Sequence, residues 1–199
     1  MPSSSVEAVK TKPGARERVL EAAYELFSRS SIATVGVDAI VQHSGVAKMS
    51  FYKHFPSKDD LVLAFLDLRN VRWTGWLEAD VLRRAATPSE RLLAMFDSLE
   101  DWFRPREFAG CPLLRTVLEA PQGTPIHAAA AEALGSCRTL VKRFAAELDL
   151  ADPDGFSKVW HALLKGSIIS AVEGDRGVTK SARRGAALML EAWPRLERV

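Results

Sequence analysis

Cysteine is scarce in this 199-residue chain. Cys111 and Cys137 are too few for a disulfide framework, and neither has a second Cys or His at zinc spacing. Their surroundings lack the cationic neighbours that activate a thiol, so buried free thiols are expected rather than a redox pair. Histidine is also thin: four residues, scattered, which do not assemble a catalytic site. No G-x-S-x-G, no H-E-x-x-H and no glycine-rich phosphate loop occurs. No run of about 18 apolar residues exists, which excludes a helical membrane span. Met1 to Lys12 lacks the apolar stretch of a secretory signal, so the reducing cytoplasm is the expected compartment and a mobile arm the expected form of residues 1–13. Asn-Gly hairpin signals and sustained period-two alternation are missing as well, so no strand is predicted. No metal or cofactor is indicated.

What is present is a chain with 47% hydrophobic residues, enough for a sizeable core at this length. Net charge is only +2, but it is unevenly placed. Residues 1–58 carry eight Lys/Arg against five acids, while the remaining 141 carry 19 against 20. A basic front on a neutral body suits a nucleic-acid-facing module, although so few charges could be unequal by chance.

The apolar periodicity is helical throughout. Val19, Ala22, Ala23, Leu26 and Phe27 predict a first helix from Ala15 to about Arg29–Ser31. Val37 to His43 supports two turns, Gly45 suits a left-handed helix end, and Lys48 to Phe55 gives a second short helix stopped by Pro56. Ser57 and Asp60 fit a capping box that opens a long helix towards Arg84. Thr87-Pro88, Thr124-Pro125 and Asp152-Pro153 repeat one start signal, a capping side chain followed by proline. They predict helices over about 88–104, 124–148 and 153–173. A shorter one is expected around Pro112–Glu119, and a last one from Thr179 to about Glu197. The fold class is therefore all-α, with about nine helices: a three-helix N-terminal unit over 13–58 and a helical body over 59–199.

Val37 to Leu61 carries the functional signal. Helix, glycine turn and second helix form a helix-turn-helix, whose second helix enters the major groove. Lys48, Met49, Ser50 and Lys53 can face out to base edges while Phe51 and Phe55 face in. Tyr52, His54 and Lys58 offer donors to phosphate oxygens, and Ala47 opens a helix whose free N–H groups favour an anion. Each also has a plainer reading: Tyr52 as a core aromatic, Lys58 and His54 as solvated surface residues.

The run Gly45-Val46-Ala47-Lys48-Met49-Ser50-Phe51-Tyr52-Lys53-His54-Phe55-Pro56-Ser57-Lys58-Asp59-Asp60-Leu61, with Val37 and Ile40 before it, resembles the signature of the TetR family. The resemblance covers about residues 15–62. It departs at Gly36, where the family often has a capping Thr, and at Val41 and Ser44, where it often has Ala. Gly36 and Val37 join the expected DNA-binding set on this basis. Phe108 to Leu114, followed by Glu119, is similar to one subgroup's entry into the sixth helix.

The resemblance implies a homodimer on double-stranded palindromic operator DNA, repression of nearby genes, and a small-molecule effector held in the C-terminal body. Pocket candidates are Trp73, Leu77, Trp102, Phe103, Phe108, Cys111, Leu114, Arg115, Leu118, Trp160, His161 and Leu164. Ordinary helical core is the competing reading of the aromatic ones. Ile168, Ala171, Val172, Ala187, Leu188 and Glu191, beside the small residues Gly166, Ser167 and Ser170, are the expected dimer surface. A ligand-independent architectural DNA binder and a helical enzyme remain as alternatives. The long body argues against the first and the missing motifs against the second.

Overall fold

The computed structural model describes residues 13–105 and 108–196. Most of the expected N-terminal arm lies outside them. The described residues form α1 (Ala15–Arg29), α2 (Val37–Ser44), α3 (Lys48–His54), α4 (Lys58–Arg84), α5 (Pro88–Phe103), α6 (Pro112–Glu119), α7 (Pro125–Ala145), α8 (Pro153–Val172) and α9 (Val178–Ala192). Among them there is no strand, only one isolated bridge between Leu150 and Arg195.

The helix starts follow side-chain chemistry. Ser57 Oγ accepts from the Asp60 amide at 3.1 Å, and the Asp60 carboxylate accepts from the Ser57 amide at 3.0 Å. Thr87, Thr124 and Asp152 cap α5, α7 and α8, each with proline in the first turn, where its missing N–H costs nothing. Gly45 ends α2 with φ 61°, a left-handed position that a Cβ would strain.

Two helices stop earlier than their periodicity predicts. α7 closes at Ala145, and Leu148 packs against the core from beyond its end. α9 closes at Ala192 because Pro194 forces Trp193 into extended backbone. The chain then folds back, and Arg195 donates to the Leu148 carbonyl at 2.6 Å.

The core is divided. One cluster joins α1, α2 and α3 to Leu61, Val62, Phe65 and Leu66 of α4, and also takes in Leu113, Ala130 and Ala133. The other gathers α5, α7, α8 and α9 around Leu77, Val81, Phe96, Phe156 and Trp160. α4, about 40 Å long at 1.5 Å per residue, belongs to both. The two packing clusters therefore meet along the middle of α4.

Candidate functional site

α3 is seated by its aromatic face. Phe51 and Phe55 are buried, and the Tyr52 ring stands edge-on to Phe51 at 5.1 Å. That leaves Met49 88% and Tyr52 45% exposed, with Lys48 and Lys53 exposed beside them and Ser50 and His54 half-buried. An exposed methionine on a short, well-anchored helix contributes nothing to the core, so its position is available for a partner. The Lys48 ammonium donates to Asp38 at 2.7 Å, and this carboxylate pushes the lysine above its usual range. Both partners are exposed, so the pair is weak and readily exchanged for a phosphate.

α1 ties this reader to the body. Arg72 makes a two-nitrogen contact with Glu21, at 2.9 and 2.6 Å, which raises the arginine and lowers the acid. Arg69 donates to the Tyr24 hydroxyl at 2.9 Å. Arg115 of α6 donates to the carbonyls of Phe27 and Ser30, and Glu119 accepts from Ser31 at 2.6 Å. The Lys58 ammonium donates to the Ile32 carbonyl at 2.5 Å. His43 pairs with Glu25 at 2.7 Å and fixes α2 on α1.

Within the body lies a small apolar cavity of about 30 Å³, walled by Trp73 and Leu77 of α4, Leu99 of α5, Cys111 and Leu113 near α6, Ala133, Leu134 and Cys137 of α7, and His161, Leu164, Lys165 and Ile168 of α8. It has room for about one water molecule. Burial beside Lys165 and Arg138 pushes His161 down to about 4, so its imidazole is neutral. Burial also raises both thiols, Cys137 to about 12.

Residues 19–65 match the family model described as "Bacterial regulatory proteins, tetR family". The chain is 27% identical over 105 residues to an uncharacterised helix-turn-helix-type transcriptional regulator of Lactococcus lactis, covering 52% of this chain and 54% of that protein. It thus spans about half the length of that relative. Across nearly the whole chain it resembles the crystal structure of a TetR-family transcriptional regulator from Streptomyces coelicolor, with TM-score 0.77, 26% identity, and coverage of 89% of this chain and 94% of that one. A cysteine mutant of the TetR-family regulator CifR, complexed with a 26-bp double-strand operator DNA, matches with TM-score 0.70 and 25% identity, covering 92% of this chain and 100% of that one. Residues 19–65 thus carry the DNA-binding region of the tetR family, and the chain as a whole resembles TetR-family regulators. TetR-family proteins are DNA-binding transcription regulators, and the helix-turn-helix described above is the part the family model matches.

Within this TetR-family fold, Trp73, Leu77, Cys111, His161 and Leu164 come together at the cavity. The other pocket candidates lie away from this cavity. Arg115 clamps the end of α1, because α6 runs alongside that helix. Leu118, three residues further along the same short helix, is 76% exposed. Leu114 is half-buried but does not reach the cavity wall. Trp160 is sealed in the core, stacked on Phe156 at 5.2 Å. Trp102 lies behind Trp73 at 4.3 Å, and Phe103 and Phe108 open to a separate cleft of about 290 Å³ beside Asp175 and Arg176. Among the expected DNA-facing residues, Lys58 is engaged by the Ile32 carbonyl. Gly36 leads extended into α2 with open space around it, while Val37 packs partly against the N-terminal cluster. On the expected dimer surface, Val172, Leu188 and Glu191 are exposed and Ala171 and Ala187 half-buried, but Ile168 faces the cavity and its neighbour Ile169 faces out. The missed wall residues were within reach of the pattern: Lys165 follows His161 by one helical turn, and Leu134 and Cys137 lie on the apolar stripe of α7.

Proposed function

We propose that this chain is a homodimeric TetR-family repressor that reads a palindromic operator in the cytoplasm and is released from it by a small-molecule effector. Residues 13–58 serve as the reader and the rest of the chain as sensor and dimer module. The observation that carries this is α3. It presents Met49, Tyr52 and Lys53 outward from a buried Phe51–Phe55 anchor. Met49, Ser50 and Lys53 meet base edges; Lys48, Tyr52 and His54 meet phosphates, with Gly36, Val37 and Ala47 at the backbone approach. CifR, which is similar over most of the chain, is bound to operator DNA in its own structure. The outer faces of α8 and α9 support pairing: Val159, Ile169, Val172 and Leu188 are large apolar side chains left exposed there. No described helix is long and apolar enough to cross a membrane.

In this reading the effector enters the cavity and moves α4, whose first turn adjoins α3. Effector and operator then weaken each other by the same factor. The test is selection of bound duplexes from a random pool by the purified protein. A two-fold symmetric consensus is the expected result. Recovery of unenriched sequence would overturn the reading in favour of an architectural binder.

A further inference from the structure

The cavity among α4, α6, α7 and α8 is electrically one-sided. Among the described residues no Asp or Glu lines it, while Lys165 does, and the neutral His161 beside Lys165 adds a polar group without charge. Outside that lining, over the Trp73 ring and near enough to Cys111 for its charge to act on the thiol, sits the guanidinium of Arg69. It lies 5.4 Å from the Trp73 ring, 5.8 Å from Trp102 and 5.9 Å from Tyr24. Its Nε is sealed from solvent with no hydrogen-bond partner, and its one hydrogen bond goes to a neutral phenol, that of Tyr24. Neither Arg69 nor Lys165 forms an ion pair among the described residues, although twelve such pairs are formed elsewhere on the molecule. A buried or half-buried cation without an anion carries a desolvation penalty that a counter-charge would relieve.

We infer that the cavity takes an apolar carboxylate, with Arg69 or Lys165 holding the carboxylate and the aromatic and aliphatic walls holding the body of the ligand. The inference rests on the effector reading above and names the chemical class of that effector. Its consequence for coupling is direct. A carboxylate is a stronger acceptor than a phenol, so a ligand at Arg69 draws the guanidinium off Tyr24 and releases one of the ties between α4 and α1. The ligand must also widen a space that now holds about one water, which separates α4 from α7 and α8.

The test uses the full-length protein and a matched probe set: octanoate and benzoate, 1-octanol and benzyl alcohol, and octylamine. Binding is followed by calorimetry and by tryptophan emission, since Trp73 and Trp102 flank Arg69. The carboxylates are expected to bind about tenfold or more tighter than the alcohols, as for a hydrogen bond to a charged group. Of Arg69→Gln and Lys165→Met, the variant that removes the holding cation is expected to abolish that preference while leaving alcohol binding unchanged. Arg69→Lys keeps the charge and retains part of it. If Arg69→Gln does not fold, Arg69→Lys and Lys165→Met decide the matter. Carboxylates binding no better than alcohols, the amine binding best, or no member of the set binding would each overturn the inference. Operator affinity is measured in parallel. Carboxylate binding that leaves operator affinity intact would keep the anion site and overturn the effector role. Operator binding without carboxylate binding would overturn the anion site and leave the operator reading standing.

Discussion

Arg115 of α6 donates a guanidinium N–H to the carbonyl of Phe27 at 2.7 Å, and the same nitrogen reaches the Ser30 carbonyl at 2.8 Å. The first carbonyl belongs to the last turn of α1 and the second to its C-cap residue, where no intrahelical partner remains and a cation is favoured by the helix dipole. One side chain of the sensor body thus closes the first helix of the reader. Arg115→Met is expected to lower unfolding stability by about 1.5–3 kcal/mol, the range for hydrogen bonds to a charged group. Arg115→Lys should recover part of it. Urea unfolding measures both; an unchanged midpoint for Arg115→Met would show the contact to be incidental.

Lys58 separates two readings of one residue. Its motif position suggests a phosphate contact, whereas its ammonium donates to Ile32 in a groove bordered by Glu119 and Pro121. Lys58→Met is therefore expected to cost roughly 1 kcal/mol of stability and to leave the salt dependence of operator binding unchanged. A slope of log K against log salt that flattens by about 0.9 per lost contact would return Lys58 to the phosphate set.

For Tyr52 the expectation is a loss of binding itself. Its ring is held on Phe51 and its exposed edge faces outward. Tyr52→Phe should weaken binding to every duplex alike and leave the salt slope nearly unchanged, because a neutral phenol displaces no counterion. Met49→Ala and Lys53→Ala should instead change which duplexes are enriched from a random pool. The same consensus for both variants and the parent would remove α3 from base reading.

The reader was legible in the sequence because its parts are local. Gly45, the Phe51–Phe55 pair and the Ser57–Asp60 capping box all act within one or two turns, so spacing alone locates them. The cavity was only half legible. Helical spacing identifies which face of α8 is apolar, yet it does not distinguish Ile168, which faces the cavity, from Ile169, which faces outward. Which aromatic lines a space and which fills the core is decided by how α5 and α7 pack on α4 and α8 on α7, a long-range property. The partners of Arg115 and Lys58 were hidden for the same reason: Phe27 and Ile32 lie 88 and 26 residues away in the chain.

Cys111 and Cys137 both line the cavity, and burial raises both thiols, Cys137 to about 12. The thiolate is the nucleophile, so its scarcity protects the native protein. Reaction of the folded chain with a thiol reagent at pH 8 should be slow for both residues and become complete in denaturant. Rapid loss of either thiol from the folded protein would show that the cavity opens freely to solvent.

His161 supplies a pH dependence whose sign is fixed by its burial. It is only 7% exposed, and its folded-state value lies near 4 against an ordinary value of 6.5. The unfolded chain therefore takes up the proton first. Stability is undiminished above about pH 6.5, falls as pH drops towards about 4, and levels off below that. The full loss from this group is of order 3 kcal/mol, from about 1.4 kcal/mol per unit of difference. His161→Gln keeps a neutral polar group at the cavity wall and removes the titration. Unfolding free energies of parent and variant should run parallel above pH 7 and converge, in the variant's favour, between pH 6.5 and 4. Curves that stay parallel through that interval would mean that His161 is protonated in the folded protein, with its imidazole open to water.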